Sequence, residues 1–200
     1  MYISIFFKKI TDFILAILGF IILSPLFLAT VISIKLDSNG PVFFIQERVG
    51  KSGKIFKIFK FRTLLEGTET PEFKLSIAEN DSRITKIGRF LREWTIDEFP
   101  QLINILRGEM SFVGPRPLPK YLIDKYRCFK GAVEREQVAP GMISLATTKG
   151  RNLVSFEKTF QMDKWYVENW SIFLDFKILF LAPFVVLSRK GVYGEFTEEE

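Results

Sequence analysis

The pattern of apolar and polar positions divides the chain into unequal parts. Phe13 to Ile34 is a run of 22 residues without a charge. A straight helix of that length would reach roughly 33 Å, enough to cross a bilayer core. Two features argue against a simple crossing. Pro25 lies near the middle of the run, behind Ser24. Proline removes one helical hydrogen bond and crowds the preceding turn, so the helix is expected to break or bend there, with the Ser24 hydroxyl bonding a freed backbone group. Basic residues also flank both ends, Lys8 and Lys9 before the run and Lys35, Arg48, Lys51, Lys54, Lys57, Lys60 and Arg62 after it. Positive residues favour the cytoplasmic side, and here both flanks favour it. A re-entrant helix-break-helix that enters one leaflet and returns satisfies both, and it is expected over residues 1–36. A signal peptide is disfavoured, because the first seven residues are mostly apolar and no small-residue cleavage site follows. Asp12, three residues after Lys9, is expected to pair with it.

Past the turn cluster Asp37-Ser-Asn-Gly-Pro41, the runs Val42–Arg48 and Ile55–Phe61 flank Gly50-Lys-Ser-Gly53 and predict a small β-hairpin. Lys54, Lys57 and Lys60 along its second arm read chiefly as a basic face. Residues 64–82 read as a flexible polar loop. Ile84, Ile87, Phe90 and Leu91 recur at helical spacing. Thr95-Ile-Asp-Glu98 has the form of a capping box, in which Asp97 would be only a favourable acid of the first turn. An apolar helix follows Pro100 and ends at Arg107-Gly108. In Gly114-Pro-Arg-Pro117 the two prolines fix the backbone around Arg116, which suits a guanidinium aimed at a phosphate; an exposed arginine in a proline-rich turn is the plainer alternative. Trp165–Arg189 is rich in large apolar residues but broken by Glu168, Asp175, Lys177 and Pro183. It predicts an interfacial or core-packed helix rather than a second span, with Trp165, Tyr166 and Trp170 at headgroup level. The acidic tail Glu195–Glu200 is expected to be disordered. The fold class is therefore α+β and mostly helical. Residues 37–200 are expected to form a mostly helical domain with interfacial amphipathic helices.

Composition narrows the chemistry. The 200 residues include 22 Phe, more than a soluble core of this size needs, and membrane contact explains the excess. There is no His, which removes histidine bases, zinc sites and triads together. Cys128 is the single cysteine; it excludes an intrachain disulfide and reads as a small buried residue. Catalysis must fall to Asp, Glu, Lys, Ser, Thr, Tyr or a metal. Residues 1–62 hold nine Lys/Arg against three Asp/Glu, whereas residues 63–200 hold nineteen against twenty. The basic surplus beside the apolar run suits an anionic bilayer face or phosphates. No nucleic-acid reading element accompanies it, so no nucleic-acid partner is expected.

Taken together, Ser24-Pro25, Lys60-Phe-Arg-Thr63, Asp81-Ser-Arg-Ile-Thr85, Arg92, Asp97-Glu-Phe-Pro-Gln-Leu102, Gly108-Glu-Met-Ser111, Gly114-Pro-Arg-Pro117 and Asp175-Phe-Lys177 stand in a specific order and spacing. In these blocks nearly the whole chain resembles the small monotopic polyprenyl-phosphate phosphoglycosyl transferases, or bacterial sugar transferases. The resemblance implies a re-entrant membrane helix, a catalytic face on the cytoplasmic side of the inner membrane, and dependence on Mg2+. The implied reaction takes a UDP-sugar and a polyprenyl phosphate to a polyprenyl-diphosphate-sugar and UMP. It also implies that Asp97 is a covalent nucleophile, and Asp97 is the obvious magnesium ligand as well. Glu98 is assigned to orient or deprotonate the incoming polyprenyl phosphate. Arg92 and Arg116 are assigned to hold phosphate oxygens, with Lys60, Arg62 and Arg151 as further candidates.

The chain departs from the family pattern after Pro140-Gly141. Ser144 stands where the family has Gly, and Thr147 stands where it has Gln. That segment is expected to shape the nucleotide or sugar pocket, so the departures leave the sugar open, as they do the pathway and the oligomeric state. A non-catalytic membrane scaffold, with Asp97 and Glu98 as cap residues only, is the alternative reading.

Overall fold

The computed structural model describes residues 2–68 and 78–193. The tail Glu195–Glu200 and the middle of the 64–82 loop lie outside the described residues. Helix α1, Tyr2–Asp37, runs unbroken through Pro25, so Ser24-Pro25 does not separate two helices. The local reason is visible. Pro25 has no N–H for the carbonyl of Ile21, four residues back, and the Ser24 hydroxyl donates to that same carbonyl at 2.8 Å.

One stripe of α1 packs on the rest of the chain at spacings of three and four residues. Lys8 Nζ donates to the Val113 carbonyl at 3.1 Å and pairs with Asp175 at 2.5 Å. Asp12 accepts the Phe112 N–H at 3.2 Å, and the pair expected with Lys9 does not form. Ala16 is buried among Phe56, Ile58, Leu102 and Ile105, while Phe27 and Ile34 meet Phe61, Leu91 and Ile96. Asp37 ends the stripe by accepting the Ile87 N–H at 3.0 Å. The opposite face, including Phe6, Phe13, Ile21 and Ile22, is exposed. Among the described residues α1 is the one helix long and apolar enough to cross a membrane, and only 11% of its most apolar stretch is buried.

Strands β1, Phe43–Val49, and β2, Ile55–Phe61, form the expected antiparallel hairpin, with Phe44 opposite Lys60 and Arg48 opposite Phe56. Helix α2, Lys86–Glu93, is capped by Thr85, whose hydroxyl accepts the Gly88 N–H at 2.9 Å. It lies directly on the end of β2, where a Cβ on Gly88 would stand 2.1 Å from the Thr63 carbonyl oxygen. A 3-10 turn, Ile96–Gln101, then leads into α3, Leu102–Leu106. Buried Asn104 fastens α3 to β2 by accepting the Phe59 N–H at 3.1 Å and donating to the Lys57 carbonyl at 2.7 Å.

The second half contains a parallel pair that the sequence pattern does not announce: β3, Ser111–Val113, beside β4, Gly141–Ile143. Helices α4, Lys120–Lys125, α5, Leu145–Lys149, α6, Phe156–Glu168, and α7, Ile172–Ser188, complete the fold. The expected single C-terminal helix is thus two, divided at Asn169–Ser171. Tyr166 is a core residue rather than a headgroup one, and its hydroxyl donates to Asp175 at 2.7 Å. Burying an aromatic body requires such a partner for its polar tip. Phe173, Phe176, Phe180 and Phe184 of α7 are exposed and extend the apolar face of α1. Cys128 is also exposed, contrary to expectation, in the turn after α4.

Candidate active site

The 3-10 turn brings Asp97 and Glu98 to different environments. Thr95 enters it with a left-handed backbone, φ 60°, and makes no cap. Its hydroxyl instead accepts Arg151 Nη2 at 3.0 Å, so the capping box does not form. Glu98 is buried and turned toward the hairpin and the proline loop. Lys60 Nζ reaches its Oε1 at 2.8 Å and Arg116 Nη2 reaches the same oxygen at 2.7 Å. Two cations on one carboxylate hold Glu98 well below the usual range despite its burial. Each cation shares its anion with the other, and desolvation outweighs Glu98 at Lys60, whose pKa is lowered.

Asp97 is half-buried, and its carboxylate accepts no hydrogen bond among the described residues. Burial raises its pKa, with Lys60 the largest opposing influence and Arg92 and Arg116 adding to it. The outcome is an unshared carboxylate surrounded by positive charge. Such a group can attack an electrophile or bind a cation, and the side chains around it can hold an oxyanion.

Arg92 stands on α2, and its Nε donates to the Thr63 hydroxyl at 2.8 Å, which anchors it at the end of β2. Arg151 lies within the field of Glu98, Arg116 and Asp97. Arg62 is placed differently. Its Nη1 donates to the Asn39 carbonyl at 2.6 Å and its Nη2 to Ser38, so it ties down the turn after α1. Two of its guanidinium nitrogens are thus taken by that turn, while Nε is buried without a hydrogen-bond partner.

Arg48, one of the basic residues that flank the apolar run, is a further candidate for the site. Strand alternation puts it on the face of the hairpin that carries Phe44 and Lys60. The next residue, Val49, donates its N–H to the Leu118 carbonyl at 2.9 Å and fixes β1 against the proline loop. Burial and the neighbouring Arg116 push the Arg48 guanidinium down to about 10. Its Nε and Nη1 are buried without a partner. Among the described residues five cations, Arg48, Lys60, Arg92, Arg116 and Arg151, bear on two carboxylates, Asp97 and Glu98. The site therefore carries a surplus of positive charge suited to a polyanion.

The two departures from the family pattern form a pair. Ser144 Oγ accepts the Thr147 N–H at 3.1 Å and Thr147 Oγ1 accepts the Ser144 N–H at 3.3 Å, a reciprocal cap on α5. They act together on the helix start.

Sequence comparison with known proteins identifies the family. The sequence model described as bacterial sugar transferase matches residues 3–189. The chain is 41% identical to a Bacillus subtilis protein named uncharacterized sugar transferase EpsL, over 92% of this chain and 89% of that protein. It is 39% identical to the Rhizobium meliloti exopolysaccharide production protein ExoY, over 91% of this chain and 86% of that one. It is likewise 39% identical to the Klebsiella pneumoniae UDP-glucose:undecaprenyl-phosphate glucose-1-phosphate transferase, over 96% of this chain but only 42% of that longer protein. With a family match over nearly all its length and relatives of similar size, the chain belongs to the bacterial sugar transferase family.

Proposed function

We propose that this chain transfers a sugar-1-phosphate from a UDP-sugar to a polyprenyl phosphate such as undecaprenyl phosphate, releasing UMP, as the first membrane step of a bacterial glycoconjugate pathway. The observation that carries this reading is Asp97, an unshared carboxylate beside Glu98 within a cationic cradle. The name of the Klebsiella relative supports the substrate classes. In the proposed first step a carboxylate oxygen of Asp97 attacks the β-phosphorus, and the bond to the α-phosphate oxygen breaks with its electron pair leaving on UMP. In the second step an oxygen of the polyprenyl phosphate attacks the same phosphorus and Asp97 departs as a carboxylate.

Glu98 fits a positioning role better than that of a base. A carboxylate held well below its usual range by two cations is a poor proton acceptor near neutrality. A phosphate monoester with a second pKa of about 6 is already mostly dianionic there and needs none. Glu98 instead aims Lys60 and Arg116, and Arg116, Arg92, Arg48 and Arg151 supply donors for phosphate oxygens.

Among the described residues no three carboxylate or thiol groups cluster into a cation cage. Asp97 alone, completed by phosphate oxygens, is nonetheless a donor set that Mg2+ uses. Bound there, magnesium would lessen the charge of the diphosphate and stabilise UMP as it leaves.

The test is UMP release by the purified chain with polyprenyl phosphate, Mg2+ and a panel of UDP-sugars. Release with one or more sugars is expected; none with any would favour the scaffold reading. The pH profile adds a second check. Asp97 must be ionised to attack, and burial raises its pKa above the usual 3.8. The acid limb of kcat/KM should therefore lie above that value. Lys60→Met removes the largest influence holding Asp97 down, so the limb should move toward higher pH. An unmoved limb would show that Asp97 does not govern it.

We also propose that α1 is re-entrant, bending its axis at Ser24-Pro25 without losing helical continuity, on the cytoplasmic face of the inner membrane. Polar contacts at both of its ends, Lys8 with Asp175 and Asp37 with Ile87, are made to one body. A straight crossing would draw that body through the bilayer, at several kcal/mol for each unsatisfied polar group. The apolar face shared with α7 is free to sit among acyl chains. In a Cys128→Ala background, cysteines at Tyr2 and Asn39 should both be labelled from the cytoplasmic side alone. Periplasmic labelling at Tyr2 would establish a simple span.

A further inference from the structure

We propose that the buried Arg135–Asp163 pair is a positioning device that sets the backbone, and so the aim, of Arg116. The proposal rests on the phosphate-binding role of Arg116 given above. Its starting point is the peptide geometry of the proline loop. Two peptide planes flank the Cα of Arg116, and their orientations are its φ and ψ. The preceding plane is held by the Pro115 carbonyl, which accepts the Gly141 N–H at 2.9 Å. Contact there is intimate, since a Cβ on Gly141 would lie 2.0 Å from the Gly114 nitrogen. The following plane ends in Pro117, which has no N–H. The Arg116 carbonyl is therefore the only hydrogen-bonding handle on that plane, and Arg135 Nη2 donates to it. With both planes held, the half-exposed Arg116 side chain leaves the loop in one direction, toward Glu98.

Arg135 is itself held on two sides. Its guanidinium lies 4.9 Å from the centroid of the Phe160 ring, and its Nη2 lies 3.3 Å from Asp163 Oδ2. Arg135 is 5% exposed and Asp163 1%. A buried ion pair is seldom more stable than apolar residues of the same volume, because desolvating two charges costs several kcal/mol. This pair is not even arranged for stability, since Arg135 Nη1 and Asp163 Oδ2 have no hydrogen-bond partner. Its geometry is explained by what else Arg135 does. The guanidinium spans from α6 to the Arg116 carbonyl, a reach and a fork that a point-charge ammonium cannot reproduce.

A double-mutant cycle on the full chain in nanodiscs separates positioning from simple packing. The two readouts are affinity for UDP by calorimetry and kcat/KM for UMP release. Arg135→Lys is expected to weaken UDP about tenfold, or 1.4 kcal/mol, and to lower kcat/KM about 100-fold, the scale of a misplaced binding group. In an Arg116→Lys background the same change should cost less than about twofold in either, because the group being aimed is already gone. Equal losses in both backgrounds, or no loss in the first, would overturn the proposal. Should Arg135→Lys fail to fold, Asp163→Asn, which frees Arg135 without removing it, is judged by the same criterion. An intact UDP cycle without turnover of any UDP-sugar would count against the proposed reaction and leave the positioning role standing.

Discussion

Replacing Asp97 by Asn is expected to reduce transfer by about 10⁴-fold or more, the scale on which single nucleophile deletions act, while the protein still folds and inserts. The structure makes the substitution unusually clean. The Asp97 carboxylate accepts no hydrogen bond among the described residues, so an amide in its place deprives no protein donor of its acceptor. The amide neither attacks phosphorus nor binds magnesium well. Steady-state UMP release together with a thermal melt checks both halves of the expectation. Activity within about tenfold of wild type would remove Asp97 from the reaction.

Glu98→Gln is expected to be different in kind. Glu98 is buried with Lys60 and Arg116 on one of its oxygens, and the amide leaves two cations close together with no anion between them. Breaking a buried pair costs about 3–5 kcal/mol, so the melt should fall along with activity. The two half-reactions then distinguish its roles. A base acting only on the acceptor would leave the first UMP release untouched. A residue that aims Lys60 and Arg116 at phosphate impairs both steps, and single-turnover UMP release should slow by about 100-fold. Normal first-step kinetics in this variant would return Glu98 to the role of acceptor base.

Much of this site is legible in the sequence, and what is missed is missed for definite reasons. The hairpin shows in its alternation and its Gly50–Gly53 turn, and the carboxylate pair shows through its company of blocks. Lys60 and Arg62 cannot be told apart that way, since they stand two residues apart where the chain leaves β2; only the carbonyls of the turn at Ser38 and Asn39 divert Arg62. Thr95-Ile-Asp-Glu98 fits a capping box in composition, but a left-handed Thr95 and the pull of Lys60 and Arg116 turn Glu98 the other way. The β3–β4 pair comprises two three-residue strands about thirty positions apart, too short for any periodicity to register. No motif in the sequence marks Arg135 or Asp163, and only tertiary packing buries them. The Ser24 hydroxyl behaves as expected toward the carbonyl that Pro25 abandons. It satisfies that carbonyl within one continuous helix, where a sequence reading expects a break or a bend.

The central claim is covalent transfer through Asp97, and omitting the acceptor tests it most directly. Enzyme mixed with a UDP-sugar that it turns over and with magnesium, but without polyprenyl phosphate, should release up to one equivalent of UMP. The peptide containing Asp97 should gain the mass of one phosphosugar, and added polyprenyl phosphate should discharge it. UMP release that strictly requires the acceptor, with no adduct on that peptide, would contradict the account and replace it with direct in-line transfer.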